Sequence, residues 1–580
     1  MKRIGAVSAL LLAFGCAACA TVPAGGVIFQ GEPFTPPREA SAMGDFLVAR
    51  YASMTNDPDG AADHYASAMN KSPGVDGLAQ RAVFAALLSG DYNKAVAMAR
   101  RADAASRDAT LVRMTLGVDA VRRGRSSEAS AYLDGPGFGA FNQSIARGVA
   151  AWGMMKPSGS AAAESRLREG LSGNVRQDSA TLYQIGLMQL AAGDDDAALE
   201  TFETLWTSGT RLAVGVGAHA RLLAARGQRE EALDLLDNFR DTIGANAELE
   251  RLATRIAQGR EVTIWRPTAK QGAALAVYIP AATLMARTDD DIAGVYFVLA
   301  LALDPELDAA RMLWAQALER GDRPTEAYAV YDRVPVASPF YASARGKMAW
   351  ILRRAGRDGE ALALATQALE AVPDRDLLVQ LADLYRSLDR FGEAVGILTE
   401  VIDTEAEGGQ SDWRLLYARG ASLENLGRWP EAEEDLRAAL TLQPDNASVL
   451  NYLGYSYVDR GERIEEGTGM IKRALELNPQ SGAYTDSLGW AYFRQGRYDM
   501  AARYLERAVE LDPGEAVPND HLGDAYWRLG RELEARFQWA RVLKIDPDYQ
   551  GRDRVEDKLQ AGLEDVPVLQ AESGPAPQRP

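Results

Sequence analysis

At 580 residues the chain is too long to fold around one compact core, while 47% apolar and 25% charged residues mark it as folded rather than disordered. Its formal net charge of −18 opposes nucleic-acid backbones and anionic lipid head groups, which argues against nucleic acid as a partner and requires a specific anchor for any membrane attachment. The two cysteines, Cys16 and Cys19, both lie near the start, so a disulfide framework or a cysteine zinc site in the body is excluded.

The first residues read as an address. Lys2 and Arg3 form a positive start, and Ile4 to Phe14 is an apolar or small stretch, the right length for a secretion signal and too short to span a bilayer. Leu12-Ala13-Phe14-Gly15-Cys16 resembles a bacterial lipobox, in which the signal is cut before an acylated cysteine. Residues 1–15 are therefore expected to be a lipoprotein signal peptide and Cys16 the lipidated residue, with Cys19 after Ala17-Ala18 as the alternative. The Cys16-x-x-Cys19 spacing also matches a redox motif, but no strand–helix pattern surrounds it. The lipobox resemblance implies a multiply acylated cysteine, which is what stable anchoring needs. Ala17 or Ala20, rather than Asp, follows the cysteine, which favours the outer membrane and a body facing the periplasm. Gly25-Gly26, Gly31, Pro33, Pro36 and Pro37 make residues 16–41 a flexible tether. As a coil it spans on the order of 25–30 Å.

Beyond about Ala42 one pattern repeats. Leu453-Gly454, Leu488-Gly489 and Leu522-Gly523 recur at spacings of 35 and 34 residues, each followed seven residues later by Gly461, Gly496 or Gly530. Ala501 and Ala535 come next, and Pro479, Pro513 and Pro547 close the units. The first glycine lets two helices approach, the second ends a helix in a left-handed turn, the alanine packs across, and the proline stops the second helix. Tyr457, Tyr492 and Tyr526 fill an aromatic position between helices. This is the tetratricopeptide (TPR) period. Weaker copies include Gly420, Gly427 and Ala432; Ala349, Gly356 and Ala361; Gly117, Gly124 and Ala129; and a first unit at Ala49, Ala61 and Ala68. The second unit departs from it, with Val83 where a small residue is expected. The expected fold is all-α: a TPR α-solenoid, a right-handed superhelix of thirteen or fourteen helical hairpins whose inner surface is lined by the first helix of each. Residues 42–245 form an N-terminal array, 246–305 degenerate repeats, and 306–550 a C-terminal array. Asp403 to Ser411 reads as a loop insertion and 551–580 as a disordered tail.

The chain offers little for catalysis. His64, His219 and His521 lie in different repeats and read as packing or surface residues. Asp194-Asp195-Asp196 and Asp289-Asp290-Asp291 sit at helix starts, where carboxylates cap amides. Asn56-Asp57-Pro58-Asp59-Gly60 lacks the closing Glu of a calcium loop and reads as a turn between helices. No metal site, cofactor or enzymatic activity is expected.

Function is expected on the inner face. Asn451, Tyr455 and Asp459 share one first helix; Asp486, Trp490, Phe493 and Arg494 the next; Asp520, Asp524, Trp527 and Arg528 the one after. Rings supply contact area and charges direction for a bound peptide. The alternative, that Trp490 and Trp527 only pack between repeats, is equally open. The runs Asn451-Tyr452-Leu453-Gly454-Tyr455 and Asp486-Ser487-Leu488-Gly489-Trp490-Ala491-Tyr492-Phe493-Arg494 resemble the C-terminal repeats of LbcA-type TPR outer-membrane lipoproteins. That resemblance implies a non-catalytic adaptor that brings peptidoglycan hydrolases or other substrates to a periplasmic carboxy-terminal-processing serine protease. A structural role in another envelope assembly or export machine is the alternative.

Overall fold

The computed structural model describes residues 41–563, apart from 73, 74, 76, 103–108, 156–159, 177, 286–289 and 408–410. The signal peptide, Cys16, Cys19, residues 16–40 of the tether and residues 564–580 lie outside the described residues.

Thirty α-helices and no strands are found among the described residues. Six hairpins come first: α1 (Ala42–Met54) with α2 (Pro58–Lys71), α3 (Leu78–Leu88) with α4 (Tyr92–Arg101), α5 (Thr110–Arg122) with α6 (Ser126–Leu133), α7 (Gly139–Gly153) with α8 (Ala161–Arg168), α9 (Ser179–Ala192) with α10 (Asp195–Thr207), and α11 (Ala213–Ala225) with α12 (Arg229–Ile243). A single helix, α13 (Ala247–Ala257), closes this array by packing Leu249, Leu252 and Ile256 onto α11 and α12. The hairpin α14 (Ala269–Met285) and α15 (Asp290–Leu303) follows. Seven more hairpins then stack in order: α16 (Asp308–Arg320) with α17 (Pro324–Asp332), α18 (Tyr341–Arg354) with α19 (Asp358–Ala371), α20 (Arg375–Arg386) with α21 (Phe391–Glu407), α22 (Trp413–Asn425) with α23 (Trp429–Leu442), α24 (Ala447–Arg460) with α25 (Ile464–Leu477), α26 (Gly482–Arg494) with α27 (Tyr498–Leu511), and α28 (Ala516–Arg528) with α29 (Glu532–Ile545). Helix α30 (Arg552–Ala561) ends the stack. These fourteen hairpins are an all-α TPR solenoid.

Local chemistry explains the hairpins. A Cβ on Gly489 would sit 2.6 Å from Leu505 Cγ, so α26 and α27 meet only because that side chain is missing. Gly496 has φ +71, the left-handed turn that ends α26 and lets α27 fold back. The second helices begin alike: Arg357, Arg390, Arg428 and Arg531 each hold a Glu three residues on, which places a carboxylate in the first turn where the helix dipole favours it. Arginines also lie over the inter-helix tyrosines, Arg463 over Tyr457 at 5.3 Å, Arg497 over Tyr492 at 4.7 Å and Arg531 over Tyr526 at 3.9 Å. Asp194 caps α10 by accepting from Ala197 N, the capping role read from the sequence, and Asp57, in the turn expected between α1 and α2, also caps α2 by accepting from Gly60 N.

The N-terminal half departs from an open trough. Helix α14 packs on α7 and α9, and α15 on α3 and α5. All four are first helices, so α14 and α15 lie along the inner face of the array that precedes them and run back toward its start. The fit is close: a Cβ on Gly272 of α14 would meet the Trp152 indole at 2.1 Å. Tyr296 donates to Asn142 at 2.6 Å, and Arg266 holds Leu190 O and Asp195. The reversal ends near the first repeats, where Asn56 donates to Gly321 O at 2.5 Å and Arg323 to Leu88 O at 3.0 Å. One hydrophobic core therefore joins residues from Ala49 to Ile351.

Two expectations are corrected. The tail is not disordered from 551: α30 packs on α29, with Val555 and Lys558 buried. Neighbours supply the reason, since a polar helix becomes stable once it covers the last hairpin. The insertion at 403–411 is partly helical, because α21 continues to Glu407 and Glu405 accepts from Arg375 at 2.8 Å.

Candidate protein-binding face

The sequence places its candidate binding residues on the inner side of α24, α26 and α28, and the structure gives most of them partners within the protein. Asn451 is buried, and its side-chain oxygen has no hydrogen-bond partner. Tyr455 is half-buried against the C-terminal core. Asp459 is exposed and accepts from Trp490 Nε1 of the next repeat at 3.1 Å; the exposed Arg494 donates to its carbonyl at 2.5 Å. Trp490 stacks on Phe493, centroids 4.8 Å apart, and on His521 at 4.3 Å. Asp486 is buried against His521 Nδ1 at 2.9 Å.

The next repeat continues the ladder. Asp520 and Asp524, both buried, converge on Lys558 Nζ of α30 at 2.7 and 2.6 Å. Asp524 also accepts from Trp539 Nε1 at 3.0 Å, and Asp520 from the Tyr549 hydroxyl at 3.4 Å. Trp527 is half-buried, tilted against Trp539 at 5.6 Å under Arg536, and Arg528 is half-buried. The expected stripe is thus corrected for Asn451, Asp486, Trp490, Asp520 and Asp524. Asp486, Trp490, Asp520 and Asp524 span the gap to a neighbouring repeat instead of facing an open trough, and Asn451 is buried. Trp490 packs between repeats, whereas Trp527 packs against Trp539 within its own hairpin.

The charges follow. Burial works against a charged His521, but the Asp486, Asp520 and Asp524 carboxylates together outweigh it and raise the imidazole above its usual value. Burial also works against the Asp520 charge, and Lys558 holds that carboxyl below the usual range. Burial raises Asp524, with Asp520 beside it pushing the same way. His219, in α11, shifts the other way: burial lowers it to about 4. No group of three or more His, Cys, Asp or Glu able to hold a metal is found among the described residues. None of the described helices is long and apolar enough to cross a membrane.

Sequence reasoning missed Lys558, which lies in the stretch read as tail. Its signal was present: the 34-residue period from α28 puts another first helix near residue 550, and Val555 and Leu559 have helical spacing.

This architecture defines a class, a repeat solenoid in which stacked helical hairpins form the whole body. Comparison supplies the repeat: tetratricopeptide repeat models match residues 413–446 and 486–515, and a second such model matches 180–208. The chain is a TPR repeat protein. It is 35% identical over 157 residues to a TPR repeat-containing protein of Pseudomonas aeruginosa strain PAO1, covering 27% of this chain and 26% of that one. It is 34% identical over 87 residues to a lipoprotein NlpI homolog of Haemophilus influenzae, covering 15% of this chain and 27% of the relative. The matched region thus spans about a quarter of these relatives. Among solved structures, a tetratricopeptide repeat protein from Parabacteroides merdae aligns over 43% of this chain and 96% of its own, at 17% identity and a TM-score of 0.37. A chain of the Cut9–Hcn1 assembly covers 90% of this chain and 97% of its own, at 15% identity and a TM-score of 0.38.

Proposed function

We propose that the protein is a non-catalytic adaptor, anchored in the outer membrane by a lipidated Cys16 and facing the periplasm, that brings cell-wall hydrolases or other substrates to a carboxy-terminal-processing serine protease. The observation that carries the scaffold part is the stack α16 to α29, where each hairpin packs on its sequence neighbours and the chain builds length and surface. The anchor is supported by Lys2-Arg3, the apolar stretch to Phe14 and Gly15-Cys16, and by a relative whose name is lipoprotein. The protease partner is supported by the LbcA-like runs at 451–455 and 486–494, which fall within the C-terminal array.

Affinity capture of the full-length protein from detergent-solubilised envelopes tests this reading. Recovery of a serine protease carrying a PDZ domain is the expected result. Recovery of secretin, synthase or pilus components without a protease would replace it with a structural role in another envelope machine. Palmitate labelling that survives Cys16→Ser and disappears with Cys19→Ser would move the anchor.

A further inference from the structure

Among the described residues, the inner-face positions that are covered or cross-linked elsewhere lie open at the start of the solenoid. The places of Asn451, Tyr455 and Asp459 correspond in the repeat register to Phe46, Arg50 and Met54 in α1, and to Gln80, Phe84 and Leu88 in α3. Five of those six residues, all but Phe46, line one cavity of about 770 Å³. Helix α15 fills the trough over α5 and part of α3, and its first turn, at Asp291, forms the far wall. This volume falls in the range of built ligand sites, roughly 300–1,000 Å³.

The lining has a definite chemistry. Phe84, Leu88 and the buried Tyr65 give an apolar floor. Arg50 and Arg81 are both exposed at its edge, and among the described residues neither is paired with a carboxylate. Many other guanidinium groups are committed, as in Arg419 with Asp435 at 2.7 Å or Arg437 with Glu433 at 3.0 Å; what sets Arg50 and Arg81 apart is that they edge one cavity with an apolar floor. The acids in the wall do not serve the two arginines: Asp57 accepts from Gly60 N at 2.8 Å, and Asp291 is engaged elsewhere. A pair of uncommitted cations in a chain of net charge −18 calls for an anion from outside.

We propose that this cleft binds an extended segment of a partner protein in which a carboxylate side chain is flanked by apolar or aromatic residues. The carboxylate sits between Arg50 and Arg81, where charge-assisted hydrogen bonds fix its place. The flanking side chains cover Phe84 and Leu88, and the open end toward Met54 lets the segment run on. Gly77, at the start of α3, has open space where a Cβ would stand, which leaves backbone room along the floor. The inference does not depend on the protease partner, because it concerns what the cleft recognises.

The test is selection of a displayed library of random dodecapeptides on the full-length protein in detergent, followed by fluorescence anisotropy with the enriched peptides. Enriched sequences should place Asp or Glu beside Phe, Tyr or Leu. Arg50→Gln with Arg81→Gln should weaken their binding about tenfold or more, as should replacing the peptide's acid by its amide, and the two changes together should cost little beyond either alone. Phe84→Ala should weaken binding equally at low and high salt, because the contact is apolar. Circular dichroism confirms that each variant is folded; both arginines are exposed, so they are expected to be. Failure to enrich any motif, or equal binding by wild type and the arginine pair, would overturn the proposal. Binding that appears only after residues 27–34 are deleted would also overturn it, by giving the cleft to Phe29-Gln30-Gly31-Glu32-Pro33-Phe34 of the chain itself. Envelope capture of a protease that is unaffected by the arginine variants would leave the adaptor role intact and confine any failure to the cleft.

Discussion

Replacing Lys558 by Met should release the C-terminal end of the solenoid and leave the rest in place. Lys558 is fully buried, and its ammonium lies 2.7 Å from Asp520 and 2.6 Å from Asp524. Methionine fills most of the same space and removes the charge, so two carboxylates are left facing each other away from water. Breaking a buried ion pair from one side costs about 3–5 kcal/mol. Burial already raises Asp524, so it takes up a proton first and relieves part of the cost in acid. In the variant the paired acids titrate above their unfolded values, so the penalty is greater at neutral pH than near pH 4.5. Repeat arrays open locally, which makes hydrogen exchange resolved by helix the right assay. Exchange in α28 to α30 should rise about 100- to 1,000-fold, the factor matching roughly 3–4 kcal/mol, while α1 to α12 stays protected. Asp524→Asn in the same background should restore much of the protection. Unchanged exchange at the C-terminal end, or a rise spread evenly over the chain, would refute the claim that this buried contact holds the cap.

Three further outcomes follow from the packing. His219 lies buried against Phe202, with burial lowering it to about 4; its contribution is complete above the unfolded value near 6.5 and lost as pH falls toward about 4, on the order of 3 kcal/mol in all, so His219→Leu should flatten the dependence of the urea midpoint on pH over that window, and an unchanged slope would contradict it. Gly489→Ala should cost about 1–3 kcal/mol, because the new Cβ meets Leu505 Cγ at 2.6 Å and its backbone nitrogen at 3.2 Å, whereas Gly359→Ala, with open space around it, should raise the melting temperature slightly. Gly272→Val drives a side chain into the Trp152 indole and should loosen α14 from the inner face, seen as increased dye binding and protease cleavage between residues 257 and 303 while fragments of the C-terminal array stay resistant.

The repeat was legible because its signals are local. Gly489 and Gly496 each act within one hairpin, so their spacing alone shows where two helices must touch and turn. The other two results depend on distant partners. Helix α14 reads as core from Gly272, Ala273, Leu275 and Val277, but nothing in those residues says that the core is that of α7 and α9, several repeats earlier. Helix α30 reads as solvated tail because Arg552, Asp553, Arg554, Glu556 and Asp557 dominate it; only the acids waiting on α28 turn Lys558 into a buried anchor. In the candidate stripe Asn451, Asp486, Trp490, Asp520 and Asp524 are buried while Asp459 and Arg494 are exposed, since periodicity fixes which side of a helix a residue is on and not how close the next helix lies.

A solenoid repeat commits some positions to its own hairpin and leaves others to their surroundings. Gly489 is of the first kind: whatever lies beyond the hairpin, it must stay small to admit Leu505. The inner positions are of the second kind, and this chain uses them in three ways. Over α5, α7 and α9 they receive α14 and α15, which converts a trough into core. Over α24 to α30 they carry Trp490, Asp486, Asp520 and Asp524 across to the next repeat. Over α1 and the part of α3 that α15 leaves uncovered they meet neither, and Arg50 and Phe84 line a cavity. The backbone is nearly the same in all three, so the difference comes from what the chain supplies: a hairpin, a lysine, or, among the described residues, nothing. A binding face in such an array is therefore located by finding where the chain stops covering itself, and a motif that scores well on repeat register alone marks packing as readily as recognition.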